Sequence, residues 1–93
     1  MWTGFEWDPE KADLNWLKHG VSFSEAIAVL DDERAITIGD SESDPGEERY
    51  VSIGIGAIGR VLVVIYTYRR KNIRIISARP AERREREQYE EEL

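Results

Sequence analysis

The chain has 93 residues, of which 41% are apolar and 34% charged, with a formal net charge of −6, one histidine and no cysteine. That is the length and composition of one globular domain, residues 1–93, not of a disordered or fibrous chain. The missing cysteines exclude disulfides and thiolate chemistry, the lone His19 excludes a multi-histidine metal cluster, and the negative charge argues at first against a nucleic-acid partner.

Residues 2–7 read as a short strand, with Phe5 and Trp7 on one face by period 2. Asp8-Pro9 starts a helix, Asp as N-cap and Pro in the first turn, and Gly20 stops it after His19. On that helix Lys11, Asn15, Lys18 and His19 share a face, while Leu14 and Leu17 are expected to supply the buried stripe. Ser22 and Glu25 have the spacing of a capping box, with Val21 placed to staple onto Ala26, so a second helix covers about 23–31. Residues 35–38 form a short strand, and 40–48 a polar loop containing Asp44-Pro45-Gly46. Three closely spaced β-branched runs follow at 49–55, 60–68 and 72–78, an antiparallel meander. Val61–Tyr66 is apolar on both faces, hence a central strand. Pro80 opens a last helix to about Glu92, whose thin apolar face holds Ala81 and Tyr89. The order is β-α-α-β-β-β-β-α: an α+β domain with two N-terminal helices and a C-terminal helix against a mostly antiparallel twisted sheet.

The N-terminus lacks a basic segment followed by an apolar one, and the longest apolar run falls far short of the ~20 residues of a bilayer span. No membrane association is expected, and a cytoplasmic location is. Gly54-Ile55-Gly56-Ala57-Ile58-Gly59 matches the dinucleotide-binding pattern, but a β-branched strand follows where that site needs a helix N-terminus. The position 20 residues on is Arg79 where an acid belongs, so the glycines read as a hairpin connection. No cofactor and no metal is expected.

The net charge conceals an asymmetry. Residues 1–50 carry 13 acids and 4 bases, residues 51–81 carry 6 bases and no acid, and residues 82–93 carry 6 acids and 3 bases. Screening cuts charge interactions beyond roughly 8 Å at physiological salt, so the local potential decides what a surface attracts. A basic patch on an acidic chain can hold a polyanion. The plainer reading is that the arginines pair with the surplus acids. Pairing at i, i+4 accounts for Arg83–Glu87 and Arg86–Glu90, but it leaves Arg60 and Arg79 without a neighbouring acid in sequence. The expected hairpin register brings Arg60 near Arg79, and Arg79 stands just before a helix N-terminus, where anions are favoured. Metal-free cleavage of RNA needs a base for the 2′-hydroxyl, a cation for the charge developing on phosphorus and an acid for the leaving 5′-oxygen. Arginine suits the phosphate, and His19, Glu85 or Tyr89 could move protons.

Phe5-Glu6-Trp7-Asp8, Lys11, Asn15, Lys18-His19-Gly20-Val21-Ser22-Phe23 and Glu25-Ala26 resemble the opening of the BrnT toxins. Ile75-Ile76-Ser77-Ala78-Arg79-Pro80-Ala81, Glu85-Arg86 and Tyr89-Glu90 resemble that family's close, and Gly46–Tyr50 and Val61–Thr67 fit its middle. The resemblance spans nearly the whole chain and rests on two separate multi-residue motifs. It implies a toxin of a type II toxin–antitoxin pair with a RelE-like fold, which inhibits translation by cleaving RNA. It also implies a partner, a BrnA-like ribbon-helix-helix antitoxin, with DNA contacted only through that partner.

On this reading Arg79 stabilises the phosphate, and His19 or Glu85 transfers protons. Lys18, Arg60, Arg74 and Arg86 hold the RNA backbone, and Tyr66 or Tyr89 stacks a base. Lys18, His19, Arg79, Glu85, Arg86 and Tyr89 lie on the matching motifs, whereas Arg60, Arg74 and Tyr66 rest on expected geometry alone. The alternative is a non-catalytic module that captures the antitoxin and acts as co-repressor, its acidic first half facing a basic segment.

Overall fold

The structure, a computed structural model, describes residues 4–40 and 48–91, and for Asp40 the backbone alone. The elements run β1 (Gly4–Glu6), α1 (Pro9–His19), α2 (Phe23–Leu30), β2 (Ile36–Asp40), β3 (Arg49–Ile55), β4 (Val61–Arg69), β5 (Asn72–Pro80) and α3 (Arg83–Glu91). The expected order holds. The start of the first predicted strand and the Asp44-Pro45-Gly46 turn lie outside the described residues.

The five strands form one sheet in the order β1-β5-β4-β3-β2, antiparallel except for the β1–β5 pair. β4, apolar on both sides, is the middle strand, as its sequence predicts. One face carries Leu62, Val64, Tyr66, Ile73, Ile75 and Ala78 against Phe23, Ala26 and Val29 of α2 and Val21 before it. The other carries Ile53 and Val63 against Ala81 and Tyr89 at α3. The caps are as read. Asp8 accepts from the Glu10 amide, Ser22 Oγ accepts from the Glu25 amide, and Gly20 closes α1 in the left-handed region. The glycine motif is the β3–β4 turn. Gly59 adopts φ 89°, and a Cβ on Gly56 would stand 2.6 Å from Leu62 Cδ1.

Two expectations need correction. Leu14 and Leu17 are 65% and 80% exposed, and the buried side chain of α1 is Asn15, at 6%. The cause lies in β1, which pairs only with 72–74 and leaves the β5 edge beyond it open. Ala78 turns its backbone N–H and C=O towards that edge. The Asn15 amide satisfies both: Nδ2 donates to the Ala78 carbonyl at 2.8 Å, and Oδ1 accepts from the Ala78 amide at 3.1 Å. Nδ2 also donates to Val21 O. A backbone need on the sheet edge thus outranks the apolar stripe in orienting the helix. The second correction concerns Pro80, which ends β5 opposite Leu62 instead of opening the helix. The Ala81 amide extends the ladder by donating to Val61 O, and α3 begins at Arg83.

Candidate functional site

In β5, side chains five apart should point to opposite faces. Arg74 and Arg79 nevertheless share one. Arg79 is opposite Val63 and Arg74 opposite Thr67, and those two β4 residues are four apart. The register steps between Ile65↔Ser77 and Tyr66↔Ile75, which makes Ile76 an extra residue and resets the alternation. The α3 face of the sheet therefore carries Arg79, Ser77 and Arg74 along one strand.

A row crosses the sheet at Arg74: Glu6, Arg74, Thr67, Arg49 and Asp40 lie opposite one another on the five strands. Two arginines thus flank the centre of the face. The Thr67 hydroxyl donates to Glu48 O at 2.6 Å and so is engaged with backbone.

At the other end, Arg79 meets Glu85 in a two-point ion pair. Nη1 donates to Oε1 at 2.7 Å and Nη2 to Oε2 at 2.8 Å. Glu85 Oε1 also accepts from the Glu82 amide at 2.8 Å, closing the first turn of α3. The Arg79 hydrogen bonds hold the Glu85 carboxyl below its ordinary value, and those same bonds raise Arg79. Glu85 grips the end of the guanidinium. The Nε–H and the second Nη2–H, which form its side-on fork, take no part in these bonds. An arginine oriented by a carboxylate, with a two-pronged donor left for a phosphate, can stabilise charge on a phosphoryl group.

The other predicted residues are placed differently. Arg60 points to the opposite face. Its Nε and Nη2 grip Glu25 at 2.7 and 2.8 Å, and Nη2 also donates to Gly20 O at 2.6 Å. Glu25 is 8% exposed, so this is a structural tie between α2 and the start of β4. The structure does not bring Arg60 and Arg79 together. It corrects the view of Arg60 as an arginine lacking an acid, since its acid lies 35 residues earlier in the chain.

Tyr66 and Tyr89 are 4% and 3% exposed, and neither offers a ring face to a base. The Tyr66 hydroxyl shares a hydrogen bond with Ser52 Oγ, and Tyr89 donates to Asp32 Oδ2. Arg86 is exposed and donates from Nη1 to the Ala81 carbonyl at 2.9 Å. Lys18 is exposed near the end of α1. α1 follows the β5 edge from Lys11, in a groove with Arg74, to Asn15 on Ala78, so His19 one turn further on stands towards the Arg79 end. Among the described residues no hydrogen bond or ion pair joins His19 to Arg79 or Glu85. Sequence reasoning left out Arg49 and Arg69. The acid-free run 51–81 signals Arg69, but Arg49 sits in the acidic half and joins Arg74 only through pairing register.

Residues 7–85 match the family model described as ribonuclease toxin, BrnT, of type II toxin–antitoxin systems. The fold matches the 1.1 Å crystal structure of the Brucella abortus ribonuclease toxin BrnT with a TM-score of 0.68 at 24% identity, covering 87% of this chain and 99% of that one. No curated protein sequence gives a significant match. No described helix is long and apolar enough to cross a membrane.

Proposed function

Starting from the premise that this chain belongs to the BrnT family of ribonuclease toxins of type II toxin–antitoxin systems, we propose that it cleaves RNA on the α3 face of its sheet and thereby inhibits translation. The observation that carries the reading is the Arg79–Glu85 pair, with its side-on fork open, on the same face as Arg74 and Arg49.

Cleavage proceeds by attack of the ribose 2′-oxygen on the adjacent phosphorus. The P–O5′ bond breaks, and the products are a 2′,3′-cyclic phosphate and a 5′-hydroxyl. Arg79 stabilises the extra negative charge on the phosphoryl oxygens, where a donor already in place costs no reorganisation. Glu85 already accepts three hydrogen bonds and sits below its ordinary value. That makes it a weak proton acceptor and suits it to positioning Arg79. Proton transfer falls to His19, the single imidazole of the chain. Arg74 and Arg86 hold the backbone of the RNA, with Lys18 in the last turn of α1.

A BrnA-like antitoxin neutralises the toxin. The outward face of α1, where Glu10 and Asp13 flank exposed Leu14 and Leu17, offers it an acidic, apolar surface. This surface also suits the second reading, an antitoxin-binding co-repressor without activity. Induced expression in bacteria without the partner separates the two. The wild type arrests growth and purified protein cleaves RNA, while Arg79→Ala and His19→Ala lose both. A harmless wild type, or two fully toxic variants, rejects the assignment.

A further inference from the structure

Between the row of arginines and α3 the sheet carries one more row. Ser77, Ile65, Val51 and Ile38 lie opposite one another on β5, β4, β3 and β2. Ile65 and Val51 are two residues from Val63 and Ile53, which pack against Ala81 and Tyr89. Alternation therefore sets the row on the face of Arg79 and α3. It holds no charge. Glu6 and Asp40 belong to the next row, at its two ends.

Ile65 is the odd member of the middle strand. Val63 and Thr67, on either side of it, are buried at 2% and 6%. Ile65 is only half-buried and belongs to neither core cluster. Where an antiparallel sheet turns a face to water, polar residues normally stand on it, but here the central position is aliphatic. Ser77 stands beside it. The hydroxyls of Thr37, Tyr50, Ser52, Tyr66 and Thr67 are all engaged. That of Ser77 has no hydrogen-bond partner among the described residues, and it is not sealed from solvent.

This row lies one step from the open fork of Arg79. Ser77 and Arg79 are two residues apart on one strand, about 7 Å, within the reach of one nucleotide unit. A nucleobase has apolar faces and hydrogen-bonding edges. Ile65 and Val51 suit a face, and a hydroxyl, which donates or accepts, suits an edge. A phosphate on this row would lose water and meet no cation, and a purely apolar ligand would leave the hydroxyl unserved. We propose that the row is a base subsite. The nucleoside joined to the phosphate at Arg79 lays its base on Ile65 and Val51, and Ser77 hydrogen-bonds an edge of the ring. This rests on the reading of the protein as an RNA-cleaving toxin, and it adds a contact that selects the sequence to be cut.

The test uses the intact protein and 2′-O-methyl dinucleotides of adenine, guanine, cytosine and uracil, which lack the attacking hydroxyl. An abasic dinucleotide is the control, and each probe is followed by amide chemical-shift titration. The best-bound dinucleotide shifts Val51, Ile65 and Ser77 together with Arg79, and the abasic probe shifts Arg79 alone. Ser77→Ala removes one neutral hydrogen bond. It weakens the best-bound dinucleotide about threefold to tenfold, draws the four bases together in affinity and leaves the abasic probe unchanged. Ile65→Thr keeps the β-branch of the strand and weakens all four base-bearing probes by roughly threefold or more. Ser77→Ala carries the test if Ile65→Thr fails to fold. On a long RNA, Ser77→Ala redistributes the cuts among sites, which a merely structural role would not do.

Shifts that stop at Arg79, equal loss of base-bearing and abasic probes in Ser77→Ala, or an unchanged pattern of cuts would each overturn the subsite. Shifts of Ile65 and Ser77 on dilution of the protein alone, with none from the dinucleotides, would mark a contact between copies and overturn it too. A protein that cleaves no RNA but binds dinucleotides on this row supports the subsite and refutes the cleavage reading. One that cleaves RNA with the wild-type pattern in Ser77→Ala refutes the subsite and leaves cleavage standing.

Discussion

Two arginine–glutamate forks sit on opposite faces of one sheet, and their chemistry diverges because of what surrounds them. Arg60 uses its side-on edge on Glu25 and adds the Gly20 carbonyl, against a carboxylate that is 8% exposed. Arg79 uses its end on Glu85, which is 23% exposed, and keeps the side-on edge clear. The first guanidinium is consumed by the fold. The second is oriented by it and still able to take a phosphate. An ion pair is therefore no argument against function; the donors it leaves over decide the matter.

The sharpest break between the forks is in activity. Arg79→Ala lowers RNA cleavage by about a hundredfold to a thousandfold, the scale of losing one transition-state donor. It changes stability by no more than about 1 kcal/mol, because the pair is partly exposed. Single-turnover cleavage and thermal melting of the same preparation check both. Arg60→Ala does the reverse. Leaving Glu25 buried without its partner costs about 2 kcal/mol, or roughly 8–16 °C in melting temperature, with cleavage per folded molecule within a few-fold of wild type.

The edge of β5 is a second structural test on the Arg60 side. Asn15→Ala strips the Ala78 amide and carbonyl and the Val21 carbonyl of their partner together, and costs about 2–3 kcal/mol in thermal melting.

The α3 side responds to acid. For Asp32 burial is the largest influence and pushes upward, but hydrogen bonds from Tyr89 and from the Ile55 and Arg34 amides outweigh it, so its value falls below the ordinary 3.8. Glu85, drawn down chiefly by Arg79, lies below its ordinary 4.5. Both carboxylates anchor α3, Asp32 through Tyr89 and Glu85 through Arg79. Groups with lowered native values contribute fully above their unfolded values, and the contribution is lost as pH falls through the native ones. Protection of the α3 amides, exchange rate relative to the unfolded chain at the same pH, should hence be high at pH 6 and fall below about pH 4, before that of β4. Tyr89→Phe removes one of the two anchors, costs about 1 kcal/mol and leaves the Arg79 end of the acid response intact.

Much of the fold is legible in the residues because it is local. Asp8, Ser22 and Gly20 set helix boundaries by capping geometry, and Val61–Tyr66 marks the middle strand because both of its faces are apolar. The errors came where a backbone group elsewhere in the molecule imposed its needs. Asn15 turned inward to serve Ala78, which left Leu14 and Leu17 outside. Pro80 stayed in the sheet, where its missing N–H lies on the side away from β4.

The candidate site divides the same way. Its residue types and the acid-free basic stretch from 51 to 81 are readable as composition, and the motifs around His19 and Arg79 carry the family. Which arginine keeps donors for a ligand is not, because Glu25 reaches Arg60 across 35 residues. Nor is the common face of Arg74 and Arg79, since strict alternation along β5 would set them apart. The sequence by itself determined the element types, the order of the chain and the supply of charge, all properties of neighbours along the backbone. Tertiary structure alone decided which charges meet. One extra residue at Ile76 shifts the register of a strand, and a shift of one residue changes the face of every side chain beyond it.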